Sequence, residues 1–384
     1  MSKINEDKND QMLTKLLNIS FNQDNSCFSI GTERGFRIYD TYPIKHQYER
    51  KMDGGIKQAE MLYRTNLLAL IGGGELPKFN PKKLVIWDDF QNKMVSEIKF
   101  FSNLRNVKLK KDKIFAICEK NIYVFDLNTY ENLEIIDTRD NPKGLFGINN
   151  DSNKTVIAYL EKSDKTNKDN IYKYFIRIKN YDKETSIQIL PQEDSISYIS
   201  LNNDGTLLAT SNEKGTLIKI HSCINGNILG EFYRGKEKAE INYICFDKFS
   251  NFLAITSDRG TIHIWSLGEV AEKRKGIEKE DINKKEDGNI EIINEKQNNL
   301  NDEKENNLGI NLPRNKKVMF SQTEKSFAQI RINSNKSICS FQRNNIIVVV
   351  TYEGMYYQAN LDTKNGGNCT IIFQDSLNNL KFEN

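Results

Sequence analysis

The stretch that decides the fold is residues 196–222, ISYISLNNDGTLLATSNEKGTLIKIHS, in which three β-branched apolar runs are joined by two polar turns. The same layout recurs at residues 16–40, LLNISFNQDNSCFSIGTERGFRIYD, and at residues 241–267, INYICFDKFSNFLAITSDRGTIHIWSL. Short apolar runs separated by Asn, Asp, Ser and Gly are typical of consecutive antiparallel strands. The sequence therefore predicts a meandering all-β fold.

A glycine lies between the second and third runs of four copies, where a tight hairpin needs positive φ: Gly35, Gly215, Gly260 and Gly354. Gly215 and Gly260 are about 45 residues apart, which is the period of a four-stranded propeller blade. Weaker copies bring the number of blades to about seven, and they lie at residues 60–88, 107–127, 145–190 and 338–360. We expect a WD40-like seven-bladed β-propeller over residues 14–373. Two stacked β domains are the alternative.

One segment, residues 268–317, breaks this repeat because it is rich in Asn, Glu, Lys and Asp and has no aromatic residue. Such a composition buries too little apolar surface to offset the entropy lost on ordering. We expect a disordered insertion in blade 6. A short helix formed on a partner or membrane, using Ile290, Ile292 and Ile293, is the alternative. Residues 1–13 are expected to be a flexible N-terminus and residues 374–384 a C-terminal tail.

Composition excludes several classes of protein. The 384 residues contain 55 Lys and Arg against 52 Asp and Glu, a net charge of +3, which argues against a general nucleic-acid binder. The chain has no apolar run long enough to span a bilayer. The first residues, MSKINEDKND, lack the pattern of a secretory signal, so we expect a cytoplasmic protein.

The sequence gives little support to catalysis, a metal site or a cofactor. The six cysteines are far apart in sequence, with no CxxC pair and no neighbouring histidine, so we expect buried thiols. The three histidines, His46, His221 and His263, are isolated. GGGE at residues 72–75 is not part of a nucleotide-binding pattern. A binding protein is the better interpretation.

A short basic segment, EFYRGKEKAEIN at residues 231–242, joins two of the clearest copies. Arg234, Lys236 and Lys238 surround Gly235, and their guanidinium and ammonium groups are the donors that bind phosphate. A solvated charged turn is the alternative interpretation.

The chain resembles the PROPPINs, the phosphoinositide-binding seven-bladed propellers of autophagy. The resemblance centres on residues 201–267, where residues 232–235, FYRG, stand at the position of the family's Phe/Leu-Arg-Arg-Gly motif. It extends in family order from about residue 14 to 373 and includes four shorter motifs: GGGELPKFNPKKLVIWDD (72–89), NPKG (141–144), SFAQIRI (326–332) and GGNC (366–369).

The resemblance implies a non-catalytic role in autophagosome formation. A PROPPIN would bind phosphatidylinositol 3-phosphate and the 3,5-bisphosphate at two shallow basic pockets on the rim, one on each side of the double arginine. Two pockets on one rim raise membrane avidity. The implied location is cytoplasmic and peripheral, on autophagosome precursors, endosomes or the vacuole.

Two departures from the motif fall on the first pocket. Tyr233 stands where the family has its first arginine, and Gln192 where it usually has a histidine. Losing a paired guanidinium costs on the order of 1.5–3 kcal/mol, so we expect a weakened first pocket. Lys214 and Thr216 retain part of it, with Lys219 or Lys236 as substitutes.

The second pocket is better preserved, and Arg234 is its main expected contact. The resemblance assigns to it Arg234, Gly235, Ser257, Arg259, Thr261 and His263. Ser257 and Thr261 are alternatively hydroxyls that cap their own turn, and His263 is alternatively a hydrogen-bonded strand histidine.

The family also suggests contacts with a membrane and with a partner. The family's blade-6 loop enters the bilayer, whereas the loop here has mixed charge and no Trp or Phe, which disfavours deep insertion. The implied partner is an autophagy lipid-transfer protein or another autophagy protein, contacting Leu76, Pro77, Lys78, Pro81, Asn141, Pro142 and Lys143. The prolines are alternatively turn residues. A protein-interaction scaffold without lipid binding is the second functional hypothesis.

Overall fold

The computed structural model describes residues 15–162, 174–286 and 326–380. In these ranges the chain forms seven sheets in chain order, the blades of a β-propeller. Six of the sheets have four antiparallel strands each. The remaining sheet, blade 6, has four antiparallel strands and a fifth strand that is parallel to its neighbour. The predicted seven-bladed propeller is confirmed. The expected flexible N-terminus, residues 1–13, and residues 287–317 of the insertion lie outside the described residues.

The first four blades have the following strands. Blade 1 contains β1 (Leu16–Phe21), β2 (Cys27–Thr32), β3 (Gly35–Asp40) and β4 (Lys45–Lys51). Blade 2 contains β5 (Ile56–Met61), β6 (Leu67–Gly72), β7 (Lys83–Asp88) and β8 (Lys93–Lys99). Blade 3 contains β9 (Asn106–Leu109), β10 (Lys113–Ile117), β11 (Asn121–Asp126) and β12 (Asn132–Asp137). Blade 4 contains β13 (Gly147–Ile148), β14 (Val156–Leu160), β15 (Ile176–Asn180) and β16 (Thr185–Ile189).

The last three blades include the only helix longer than one turn in the described ranges. Blade 5 contains β17 (Ile196–Leu201), β18 (Leu207–Asn212), β19 (Leu217–Ser222) and β20 (Ile228–Tyr233). Blade 6 contains β21 (Ile241–Phe246), β22 (Phe252–Ser257), β23 (Thr261–Ser266), β24 (Ala328–Arg331) and β28 (Gly367–Asn368), with helix α1 (Gly268–Glu286) after β23. Blade 7 contains β25 (Ser337–Phe341), β26 (Ile346–Thr351), β27 (Met355–Asn360) and β29 (Thr370–Ser376).

The first strand of each blade is the innermost one. Successive first strands contact one another, for example β1 with β5 and β17 with β21, so together they surround a central channel. Blades 1 and 7 share no strand within the described ranges. Their junction is closed by side-chain packing, with Phe28 stacked on Tyr356 and the Tyr356 hydroxyl donating to the carbonyl of Thr41 at 2.7 Å.

The glycine prediction is confirmed at the four hairpins. Gly35, Gly215, Gly260 and Gly354 have φ of +107°, +64°, +67° and +83°. At Gly215 a Cβ would also lie 2.0 Å from the carbonyl oxygen of Ala239, so this turn permits both a left-handed backbone and a close approach of the next linker.

The start of the insertion is a helix, which corrects the expectation of disorder from residue 268. Val270 and Ile277 lie seven residues apart on one face and pack on the core between blades 5 and 6. Lys273 donates to the carbonyl of Leu229 at 2.9 Å, and Arg274 lies 3.6 Å from the carboxylate of Asp204. Because the composition of the segment is polar overall, the sequence analysis did not detect this narrow apolar face.

Two smaller expectations also need correction. The outer strand of blade 7 continues to Ser376, and Leu377 is buried, so the propeller extends past the expected boundary at residue 373 because this strand completes the last sheet. Cys27, Cys118 and Cys339 are buried thiols as expected, but the other three cysteines are partly exposed. The sulfur atoms of Cys245 and Cys339, which belong to neighbouring inner strands, are 3.6 Å apart.

Candidate functional site

The linker between blades 5 and 6, residues 234–240, is fixed by the hairpin turn of blade 5. We call these residues the junction linker. The N–H of Arg234 donates to the carbonyl of Thr216 at 2.9 Å, and the N–H of Ala239 donates to that of Lys214 at 3.0 Å. The left-handed Gly215 lies between these two bonds and leaves room for the linker. The basic segment is therefore an ordered part of the junction.

Arg234 is half-buried and is held by backbone oxygens. Its Nε donates to the carbonyl of Gly215 at 2.6 Å and its Nη2 to the carbonyl of Glu237. Within the described ranges its Nη1 has no hydrogen bond. Burial lowers the pKa of Arg234 from its usual value. The Asp258 carboxylate opposes this shift, and the Arg259 guanidinium adds to it. The side chain remains a fixed cation with donors to spare.

Arg259 binds the same linker from the blade 6 side. It lies in the turn between β22 and β23, and its Nη2 donates to the carbonyl of Lys238 at 2.8 Å. Half of the side chain is exposed, and its nearest carboxylates, Glu237 and Asp258, are 3.9 and 4.0 Å away. Two guanidinium groups thus meet at the junction linker, anchored mainly by neutral carbonyls.

His263 is neutral at physiological pH. Burial lowers its pKa to about 4, and the positive charge of Arg234 acts in the same direction. Its Nδ1 is 3.2 Å from the hydroxyl of Ser326, so a hydrogen-bonded strand histidine describes it well. Arg234 acts on the imidazole electrostatically, which places His263 near Arg234.

The hydroxyl residues of the second pocket differ from each other. Ser257 is buried, and its Oγ accepts the N–H of Arg259 at 3.4 Å. The turn-capping interpretation therefore holds for Ser257, which corrects its expected role as a contact, because its hydroxyl is taken up inside the turn. Thr261 is half-buried at the start of β23 and remains a candidate contact.

Sequence reasoning missed one arginine of blade 6 that adds to Arg234 and Arg259. Arg331 of β24 lies directly opposite Thr261, and Gln329 lies opposite His263. Directly opposed residues of an antiparallel pair present their side chains on one face of the sheet. Arg331 is exposed and adds a guanidinium to the face that carries Thr261 and His263. The motif SFAQIRI contained this residue, but only the pairing of β23 with β24 reveals its place.

Two of the residues expected near the first pocket are already engaged by other protein groups. Lys219 is only 14% exposed and forms an ion pair of 3.1 Å with Glu231. Gln192 is buried, and its amide donates to the carbonyl and hydroxyl oxygens of Thr210. Neither residue is therefore a ready substitute for a missing cation.

The other residues expected near the first pocket remain candidates. Lys214 and Lys236 are exposed. Thr216 is half-buried, and its hydroxyl accepts from the Asn212 amide at 3.4 Å. Tyr233 ends β20, opposite Leu217. At Gly235 a Cβ would meet nothing within 4 Å, so the fold itself does not require glycine there.

The first expected partner loop joins β6 and β7 of blade 2. Leu76 is 78% exposed, and Lys78 forms an ion pair with Asp53. The carbonyl of Pro81 accepts the N–H of Leu104, which connects this loop to the linker that enters blade 3. Proline at 77, like Leu76, belongs to the loop between β6 and β7, consistent with either a turn or a contact role.

The second partner loop includes one wrongly assigned residue. Asn141 is 1% exposed, and its side chain exchanges hydrogen bonds with the backbone of Leu145. Its side chain stabilises the loop internally and is not accessible to a partner, which corrects its expected contact role. Pro142 and Lys143 are exposed, and Lys143 lies 3.6 Å from the carboxylate of Glu240.

Comparison with known proteins now places the chain in a family. The family model described as PROPPIN matches residues 15–292, more than half of the chain. The chain belongs to the PROPPIN family. The resemblance seen in the sequence is confirmed.

Relatives of this PROPPIN occur in fungi and plants. It is 32% identical to the SVP1-like protein 2 of Candida glabrata over 67% of this chain and 64% of that relative, so it spans less than two thirds of that protein. It is 29% identical to the autophagy-related protein 18e of Arabidopsis thaliana over 92% of this chain and 85% of that relative.

A solved structure shares the fold of this PROPPIN. The Hsv2 structure from Kluyveromyces lactis has a TM-score of 0.70 at 19% identity, covering 94% of this chain and 99% of the other. At that identity the likeness supports the propeller fold. Among the described residues of this PROPPIN, no helix has the length and apolar character needed to cross a bilayer.

Proposed function

We propose that this PROPPIN binds the headgroup of phosphatidylinositol 3-phosphate, and also of the 3,5-bisphosphate, on the blade 6 side of the junction linker. Binding recruits autophagy proteins to membranes during autophagosome formation, as a peripheral and non-catalytic function. Family membership supports the general role. The observation that carries the site is the pair Arg234 and Arg259, two cations that donate to the carbonyls of Glu237 and Lys238 in one linker.

This geometry suits a phosphomonoester. A phosphate carries close to two negative charges and three acceptor oxygens, so it gains from donors that are already positioned. Arg234 is oriented before a ligand arrives, which reduces the entropy lost on binding. A neutral His263 at pH 7 offers one ring nitrogen without adding to the repulsion between the arginines.

Liposome flotation tests the proposal directly. Wild-type protein is expected to float with phosphatidylcholine vesicles that carry phosphatidylinositol 3-phosphate, and Arg234→Ala is expected to abolish or strongly reduce this. The matched control is Arg37→Ala in blade 1, which removes another half-buried arginine with an ion pair, to Glu49 at 3.0 Å. Failure of the folded wild type to float, or equal flotation of Arg234→Ala, would remove the lipid assignment.

A second function is favoured by exposed apolar side chains on blades 2 and 3. Leu76 is accompanied by Phe101, which is 96% exposed in the linker hydrogen-bonded to the same loop. Exposed large apolar groups near each other mark interaction surfaces. We infer that an autophagy protein, specifically the lipid-transfer protein, docks here beside Pro77, Lys78, Pro81, Pro142 and Lys143.

A charge-introducing double variant separates the two functions. Leu76→Asp with Phe101→Asp is expected to abolish capture of the purified lipid-transfer protein while leaving flotation unchanged. Phe249→Asp is the control, because Phe249 is also highly exposed but lies in the turn between β21 and β22. Undiminished capture by the double variant would place the partner elsewhere.

A further inference from the structure

The inner strands of blades 2, 3 and 7 carry basic residues where they begin. Lys57 is the second residue of β5, while Arg105 and Lys336 immediately precede β9 and β25. Because the inner strands of a propeller run in the same direction along the channel, their first residues surround the same opening. We call this opening the basic mouth. The Lys57 ammonium donates to the carbonyl of Arg105 at 3.0 Å, which confirms that blades 2 and 3 meet there.

Charge is balanced inside the channel but not at this opening. Deeper along the same strands, Lys108 lies 2.9 Å from Glu60, and Glu60 also accepts the hydroxyl of Ser20 at 2.7 Å. At the basic mouth, by contrast, neither Lys57 nor Lys336 forms an ion pair with any described residue. Arg105 has one, to Glu119 at 2.7 Å. Lys57, Arg105 and Lys336 therefore share a single carboxylate among them, and Glu240, which precedes β21 at the same opening, is paired with a different cation, Lys143, at 3.6 Å.

The surroundings of Lys57 disfavour its positive charge. Burial lowers the pKa of Lys57, and Arg105 and Lys336 lower it further, so the two nearby charges are both positive. Lys336 rests over the ring of Tyr352 at 4.0 Å, a contact that orients an ammonium group without neutralising it. Like charges held together without acids are stabilised when an anion binds between them.

The channel gives such an anion room and polar walls. Its cavity has a volume of about 850 Å³ and reaches Gln58, Asn106 and Tyr352, which adjoin the three cations. The amide of Gln58 donates to that of Asn106 at 3.0 Å, and Tyr352 donates to Asn18 at 3.0 Å. These bonds fix the polar groups just inside the basic mouth.

We propose that the basic mouth binds a multiply charged phosphate compound through Lys57, Arg105 and Lys336. Because Arg105 is paired with Glu119, two ammonium groups lack a counterion. A carboxylate ligand would neutralise only one of them, whereas a phosphate group carries about two negative charges at pH 7. Lysine ammonium groups bind phosphate as point charges and need no planar partner. The site is distinct from the junction linker, and it does not depend on the function proposed there.

Calorimetric titration with inorganic tripolyphosphate tests the site, using the full chain at two salt concentrations. Wild type is expected to bind, and the double variant Lys57→Gln with Lys336→Gln is expected to weaken binding by at least about tenfold, since two of three cations are lost. Binding should also weaken at higher salt. The control Lys248→Gln removes an exposed lysine from the opposite end of the channel, and it should change the affinity less than twofold.

The melting temperature of the unliganded double variant shows that a loss of binding is not a loss of folding. Because the two substitutions remove like charges that repel each other, this temperature should be unchanged or raised. Equal affinity of wild type and double variant, or no binding by wild type, overturns the proposal.

Vesicle flotation distinguishes the two sources of phosphate. If the double variant still floats with phosphatidylinositol 3-phosphate vesicles, the basic mouth takes a soluble compound. If flotation is lost together with tripolyphosphate binding, the same site takes a lipid headgroup.

Discussion

The two sides of the junction linker carry their charge in different ways. On the blade 6 side, Arg234 and Arg259 are anchored on the carbonyls of Gly215, Glu237 and Lys238. A carbonyl orients a guanidinium without cancelling its charge. On the blade 5 side, Lys219 is paired with Glu231, whose carboxylate does cancel the charge. We therefore expect the kind of partner, more than the number of basic residues, to decide whether a side binds an anion.

The largest expected effect comes from breaking the anchor that both sides share. Gly215→Ala places a side chain at φ +64° and a Cβ 2.0 Å from the Ala239 carbonyl, so the linker must move. We expect a loss of about 2–4 kcal/mol in the free energy of unfolding, together with reduced flotation. Urea denaturation measures the first, and Gly276→Ala in α1, where a Cβ meets nothing, is the control. Wild-type stability would mean that the linker adapts freely.

The second-largest effect is expected when the blade 5 side is given free positive charge like that of the blade 6 side. Tyr233→Arg adds a guanidinium at the end of β20, and Glu231→Gln releases Lys219 from its ion pair. Each is expected to tighten binding to phosphatidylinositol 3-phosphate vesicles by several-fold, up to about tenfold together, as a second headgroup becomes available. Vesicle titration gives the affinities. Glu49→Gln, which breaks the pair with Arg37 in blade 1, is the control and should have no effect.

The contrast between the two sides was only partly visible in the sequence. Alternating runs and the hairpin glycines are local signals, so seven blades and the place of Arg234 could be predicted. The residues that contact these side chains could not be predicted, because they are distant in the sequence. Arg331 meets Thr261 only through the pairing of β24 with β23, across the long insertion. The Asn141 amide satisfies its own loop, a role that the motif NPKG does not distinguish from a surface contact.

Helix α1 was missed for a related reason. Its mean composition is polar, and only Val270 and Ile277 are positioned to meet the apolar core between blades 5 and 6. Two apolar residues give a weak helical pattern in isolation. Packing against β20 makes the segment a helix, and that surface exists only after the blades have formed.

A third prediction concerns the neutral histidine on the blade 6 side. Because the pKa of His263 is about 4 in the folded protein and near 6.5 when unfolded, the unfolded chain binds more protons between these values. The contribution of His263 to stability is complete above pH 6.5 and falls as the pH drops toward 4. We expect His263→Gln to lose less stability than wild type between pH 7 and pH 5, measured as the urea midpoint at each pH. Identical losses would show that the imidazole is not shielded.

The smallest expected effect lies near the start of the junction linker and contrasts Gly235 with Gly215 of the blade 5 hairpin turn. Gly215 is required by backbone conformation and close packing, whereas a Cβ at Gly235 would meet nothing within 4 Å. Gly235→Ala should therefore change the free energy of unfolding by no more than about 1 kcal/mol, because an alanine mainly restricts the unfolded chain. If the headgroup is bound by side chains, flotation should stay within about twofold of wild type. Unchanged stability with lost flotation would instead mean that phosphate touches the backbone at Gly235, and the blade 6 arginines would then act by charge around a contact that the main chain makes.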